Sequence, residues 1–101
     1  MTTEGFIKMV SAFPGTSQKP HFDRQAFRTS RRIYATLHIR SVSINVKLTP
    51  ELQSVYVAIN PEMIYPVPNK WGLQGWTTIS LTDTPEELIR EMVRQAYEEA
   101  L

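Results

Sequence analysis

The chain has 101 residues, 42% hydrophobic and 21% charged, with eleven Lys and Arg against ten Asp and Glu, seven prolines, four glycines and no cysteine. Its length fits one domain over residues 1–101, and its composition is that of a globular chain, neither disordered nor collagenous. The missing cysteine excludes disulfides, cysteine–zinc sites and thiol nucleophiles; no apolar run nears the ~18 residues of a membrane span and no signal-peptide pattern opens the chain, so a cytoplasmic address with no membrane partner is expected.

Near the start, Phe6, Met9, Val10 and Phe13 recur at i, i+3, i+4 and i+7, which predicts one apolar helix face. Thr2 or Thr3 can cap it, and Pro14-Gly15 ends it. A weaker run from about Phe22 to Thr29 reads as a strand leading through Ser30 into the next. From Arg31 the period becomes two: Ile33, Ala35, Leu37 and Ile39 alternate with Arg32, Tyr34, Thr36, His38 and Arg40. Past Ser41, Val42, Ile44, Val46 and Leu48 alternate with Ser43, Asn45 and Lys47, which predicts a hairpin turning around Arg40 and Ser41.

Thr49-Pro50-Glu51 opens a helix with Thr as N-cap and Pro at the first helical place, carrying Leu52, Val55, Tyr56 and Ile59 on one face until Asn60-Pro61. Tyr65 to Gly75 reads as an irregular loop, and Trp76 to Leu81 as a short strand. Thr84-Pro85-Glu86-Glu87 reads as a capping box for a last helix with Leu88, Ile89, Met92, Val93, Ala96, Tyr97, Ala100 and Leu101 on one face. The expected fold is α+β, an antiparallel sheet with helices packed on one face. Its open face should carry Arg32, Tyr34, Thr36, His38 and Arg40 beside Ser43, Asn45 and Lys47, with Arg28 and Trp76 as neighbours.

The near-zero net charge conceals a division. Residues 19–47 hold seven basic side chains against Asp23 alone, a net of +6, whereas residues 48–101 hold three against eight, a net of −5. Basic side chains on one face gain by releasing the counterions condensed on DNA, so Arg28, Arg31, Arg32, Tyr34, His38, Arg40 and Lys47 are the candidate nucleic-acid contacts, weak and directed at the backbone. Arg31 and Arg32 are expected at a hairpin tip, reaching out as a wing does. The plainer alternative is a solvated sheet face whose charges discourage edge pairing.

A second candidate, from a different class, is a small-molecule or protein site in the Tyr65–Trp76 loop, with His21, Tyr65, Lys70, Trp71 and Trp76 as binding residues and the loop glycines allowing close approach to a ligand. The competing reading is that Trp71 and Trp76 seal the core edge. The acids of the last helix read as a solvated face. His21 and His38 lack metal-ligand spacing, and neither a phosphate loop nor a nucleophile elbow occurs, so no catalytic residue, cofactor or metal is expected.

The succession Phe13-Pro14-Gly15-Thr16, Pro20-His21-Phe22, Ala26-Phe27-Arg28, Ile33-Tyr34-Ala35-Thr36-Leu37, Val46-Lys47-Leu48-Thr49-Pro50-Glu51 and Tyr65-Pro66-Val67-Pro68, followed by Trp71-Gly72 and Gly75-Trp76-Thr77, resembles the MmcQ/YjbR family in order and spacing. The resemblance runs from about residue 5 to the C-terminus. It implies a CyaY-like α+β domain, and a DNA-binding role that the family is given for a double-wing-like arrangement of hairpins. Fold alone does not carry function. Where relatives often have a glycine-rich turn between the first two strands, this chain has Thr29-Ser30-Arg31-Arg32.

Overall fold

Thr2 accepts a hydrogen bond from the Gly5 amide at 2.9 Å and so starts α1 (Thr3–Ser11) where the sequence places it. In the computed structural model, which describes residues 1–101, α1 is followed by β1 (Ser17–His21), β2 (Arg24–Arg28), β3 (Ile33–His38) and β4 (Ser43–Lys47). Then come α2 (Pro50–Ile59), β5 (Ile64–Pro66), α3 (Lys70–Leu73), β6 (Trp76–Ser80) and α4 (Glu86–Glu99). Thr49 caps α2 by accepting from the Leu52 amide at 3.1 Å, with Pro50 in the first turn. The expected capping box before α4 does not form. Pro85 takes the cap place, its carbonyl accepting from the Leu88 and Ile89 amides, and the hydroxyl of Thr84 is buried with no partner.

All six strands pair antiparallel in the order β1-β2-β3-β4-β6-β5. The helices cover one face and enclose a core of 19 residues, among them Phe6 and Val10 of α1, Leu37, Ile44, Val46 and Ile79 of the sheet, and Ile89, Met92 and Val93 of α4. Phe6 meets Phe27 edge-on at 5.6 Å. At the short β5 edge, α2 buries Tyr56 and Gln53 but leaves Val55 and Ile59 exposed, so only part of its apolar face finds a partner. No helix is long and apolar enough to cross a membrane.

Three elements lie where periodicity gives no signal. β1 is exposed along its whole length and carries Pro20, as an edge strand tolerates. β5 has three residues and α3 has four, too few to show a period.

One expected face is overturned. Phe27 pairs with Ala35 and Arg28 with Ile33, so Tyr34 is an extra residue without a partner, a β-bulge. Beyond the bulge the alternation inverts. Tyr34, expected on the open face, is fully buried among the helices, while Ile33 lies on the open face. Ile39, expected inward, sits in the β3–β4 turn and is 55% exposed.

Burial raises the Tyr34 phenol above its ordinary 10.0, with the Thr16 hydrogen bond opposing and Tyr97 adding to the rise. Because the folded-state value is raised, this stabilisation is complete below pH 10.0 and is lost as pH climbs through the folded value. Tyr34→Phe removes the hydroxyl bonded to Thr16 at 2.7 Å. It should therefore cost about 1 kcal/mol at neutral pH, read as a lower urea midpoint. Above pH 10.0 the deficit should shrink, because only the wild type must hold a phenol protonated against the medium.

Candidate functional site

Strand register places Lys19, Ala26, Thr36, Asn45, Thr78 and Tyr65 in one row, edge to edge, on the face opposite α1, α2 and α4. Not one Asp or Glu occurs in any of the six strands, whereas Lys19, Arg24, Arg28 and Lys47 all do. The open face is thus basic by composition. It is also concave.

Near the middle of this face lies a cavity of about 400 Å³. Its polar wall is His21, Arg24, Thr36 and Asn45; its apolar wall is Ile33, Val67, Trp71 and Trp76. Arg24 donates from Nε to Thr36 Oγ1 at 2.8 Å, while its Nη2 is shut off from solvent and has no hydrogen-bond partner. Burial pulls the Arg24 guanidinium below its ordinary value, and Asp23 offsets part of that. The Asp23 carboxylate is itself held by His38 Nε2 at 3.1 Å. Asn45 Oδ1 accepts from Thr78 Oγ1 at 2.7 Å.

The aromatic wall is held from behind. Gln53 Nε2 donates to the carbonyls of Gly72 and Trp76 and to Thr77 Oγ1, at 3.0 to 3.1 Å, and so clamps the segment that bears both tryptophans. The glycines of that segment serve the chain itself, not a ligand. A Cβ on Gly72 would lie 1.8 Å from the Val67 carbonyl oxygen, and one on Gly75, whose φ is +108°, would lie 1.9 Å from that of Leu48. Trp71 is 49% exposed, and the Lys70 ammonium stands 5.7 Å from its ring.

The sequence-predicted residues divide on this map. His21, Trp71 and Trp76 meet in the cavity, with Tyr65 and Lys70 outside it. Of the nucleic-acid set, Arg28 is on the open face beside Ile33, and Lys47 begins there, its ammonium 3.3 Å from the Leu48 carbonyl. Arg31 and Arg32 do not form a free wing. Thr29 Oγ1 accepts from both their amides and donates to the Ala100 carbonyl at 2.8 Å, and the Arg31 guanidinium donates to Leu101, so this tip is tied to the end of α4. His38 and Arg40 lie at the opposite end, where Ser41 Oγ is 2.7 Å from His38 Nδ1 and the Ser41 amide donates to the same nitrogen, closing the turn. Tyr34 is in the core.

Arg24 is the residue that sequence reading missed. It alternates with Ala26 and Arg28 opposite the core residue Phe27, and that pattern was present to be read. A second concavity, about 480 Å³ between α1 and α4, has its arginines engaged: Arg94 with Glu98 at 3.1 Å and Arg90 with Glu86 at 3.9 Å.

The family described as YjbR matches residues 11–99 of the chain. Among solved structures the fold is similar to that of the Deinococcus radiodurans protein DR2400, which has a DUF419 domain, with 21% identity and a TM-score of 0.83 over 94% of this chain and 75% of that one. It is also similar to a Pseudomonas syringae protein, target PsR293 of the Northeast Structural Genomics Consortium, with 18% identity and a TM-score of 0.75 over 100% of both chains. At these identities the likeness is one of fold. No curated protein matches the chain.

Arg24→Met should make the free protein more stable, by up to about 2 kcal/mol, because losing one hydrogen bond worth about 1 kcal/mol is outweighed by relieving an unpartnered buried donor that costs about 1–3 kcal/mol. Urea denaturation of both proteins at pH 7 tests this. A loss above about 1 kcal/mol would mean that Arg24 is fully satisfied without a ligand.

Proposed function

The chain belongs to the YjbR family, and on that premise we propose that it is a cytoplasmic DNA-binding domain, without catalysis, that takes the phosphate backbone against the open face of its sheet. The supporting observation is the absence of any acid from six strands that carry four cations on or beside one uncovered face. Cations there gain through counterion release, which needs proximity to phosphate and no particular base sequence. The ten acids lie outside the strands, five of them between Glu86 and Glu99 in α4 on the helical layer, while Asp23 sits at the β1–β2 tip, held by His38. A strand approaching the protein is therefore drawn to the sheet side and repelled from the helix side.

The hairpin arrangement suits the same reading. The β1–β2 tip at Phe22 and Asp23 and the β3–β4 turn stand at one end of the sheet, joined by the Asp23–His38 contact at 3.1 Å, with Arg40 beside them. These two adjacent tips supply the pair of wings. The Arg31–Arg32 tip, tied to α4, plays no such part. The cavity walled by Trp71 and Trp76 supports a second component of binding, a discrete pocket within the basic face.

Fluorescence anisotropy with labelled single-stranded and duplex DNA of equal length tests the proposal. Wild-type affinity should fall steeply between about 50 and 200 mM salt, and the Lys19→Ala, Arg28→Ala, Lys47→Ala triple variant should lower the slope of log K against log salt by about 2–3 units. An Arg31→Ala variant should leave the slope nearly unchanged. Absence of binding at low salt, or an unchanged slope in the triple variant, overturns the reading.

A further inference from the structure

We infer that the cavity at the centre of the open face is a site for one nucleotide unit, with its base against the indoles of Trp71 and Trp76 and its phosphate on Arg24; this rests on the nucleic-acid reading above and specifies which part of the ligand the pocket takes. The cavity, at about 400 Å³, falls within the ~300–1,000 Å³ of small-ligand sites. Its two walls differ in chemistry. One carries two indoles, that of Trp71 half-exposed, beside Ile33 and Val67, and exposed indoles can serve as a stacking platform. The other is polar and cationic.

Arg24 identifies the group missing from the polar wall. Only its Nε is bonded, to Thr36, and its Nη2 is out of water with nothing to donate to. Its one acidic neighbour, Asp23, is drawn to His38. A guanidinium so placed carries a cost that an anion in the cavity would offset once the side chain turns Nη2 outward to meet it, and its planar fork matches phosphate better than a lone ammonium would. The lowered pKa of Arg24 is the signature of that unrelieved burial. Thr36 and Asn45, side by side in register on the floor, and His21 at the rim add polar groups within the same cavity for the sugar and base edges. A planar base joined to a phosphate satisfies both walls at once. A free phosphate leaves the indoles bare, and a neutral base leaves Arg24 unmet.

A nucleotide unit reaches the pocket either as a free mononucleotide or within a strand, and the test separates the two. Tryptophan fluorescence of the whole protein is followed during titration with adenosine 5′-monophosphate, adenosine, inorganic phosphate and an oligodeoxyadenylate strand. Adenosine 5′-monophosphate should quench saturably, with adenosine and phosphate each at least about tenfold weaker. Arg24→Met and Trp71→Ala should each weaken the mononucleotide by about tenfold or more, with thermal melting confirming that both variants fold. Strand binding that persists with its salt slope while the mononucleotide fails to saturate overturns the pocket and leaves the basic-face reading standing. Mononucleotide binding of equal strength in wild type and Arg24→Met overturns it as well. Saturable mononucleotide binding without strand binding supports a free-nucleotide pocket and removes the backbone reading, and failure of both ligands removes both.

Discussion

At residue 34 the alternation of β3 breaks, and the extra residue sends a tyrosine inward instead of toward solvent. Its hydroxyl meets Thr16 Oγ1 at 2.7 Å and its ring meets Tyr97 edge-on at 5.4 Å. Tyr97 stacks on Phe13 at 4.8 Å and donates to the Pro14 carbonyl at 2.6 Å. One bulge thereby fastens the sheet to α4 and to the segment that leads from α1 into β1. The same bulge turns Ile33 the other way, onto the cavity wall. Core and cavity are two sides of one irregularity, so a change that regularised β3 would remove the aromatic lock and reshape the site together.

The layering also sorts charge. A strand buried on one face and open on the other admits cations only at its outward positions, and here those positions hold Lys19, Arg24, Arg28 and Lys47 with no acid between them. The acids gather instead on the exposed side of α4, where Glu86 and Glu87 suit the helix N-terminus and Glu98 pairs with Arg94. Arg24 stands apart from the other cations in being half sunk into the face and short of a partner. Such a group works against stability, and a core of 19 residues, each large apolar side chain contributing about 1.5–3 kcal/mol, is what allows it to persist.

Legibility from sequence followed the length and regularity of each element. The caps at Thr2 and Thr49 and the β3–β4 hairpin were readable because each has a local cause: a hydroxyl at a helix start, or alternation kept up over several residues. β5 and α3 were not, since three or four residues show no period and are fixed by distant partners such as Gln53. Thr84 misled because Pro85 moved the helix start one place on. Tyr34 misled because a bulge is invisible in a pattern that assumes strict alternation. For the site, the tryptophans and His21 could be named from residue type, but their meeting with Arg24 depends on β1 lying at the sheet edge next to β2, a pairing that only the fold supplies.

The two kinds of binding proposed for this face would not depend on the same features. Counterion release tolerates imprecision: it asks only that Lys19, Arg28 and Lys47 stand near phosphate, and it fades as salt rises. The pocket tolerates little. Its indoles are positioned by Gln53 donating to three acceptors across α3 and β6, and by two glycines whose backbones lie too close to Val67 and Leu48 for any Cβ. Salt screens exposed charges far more than a partly desolvated guanidinium, so raising ionic strength should strip the first kind of contact before the second. If the proposed nucleotide site is real, what then remains bound depends on Arg24 and the tryptophans, and the short-range geometry of the Gln53 clamp, not net charge, would set its specificity.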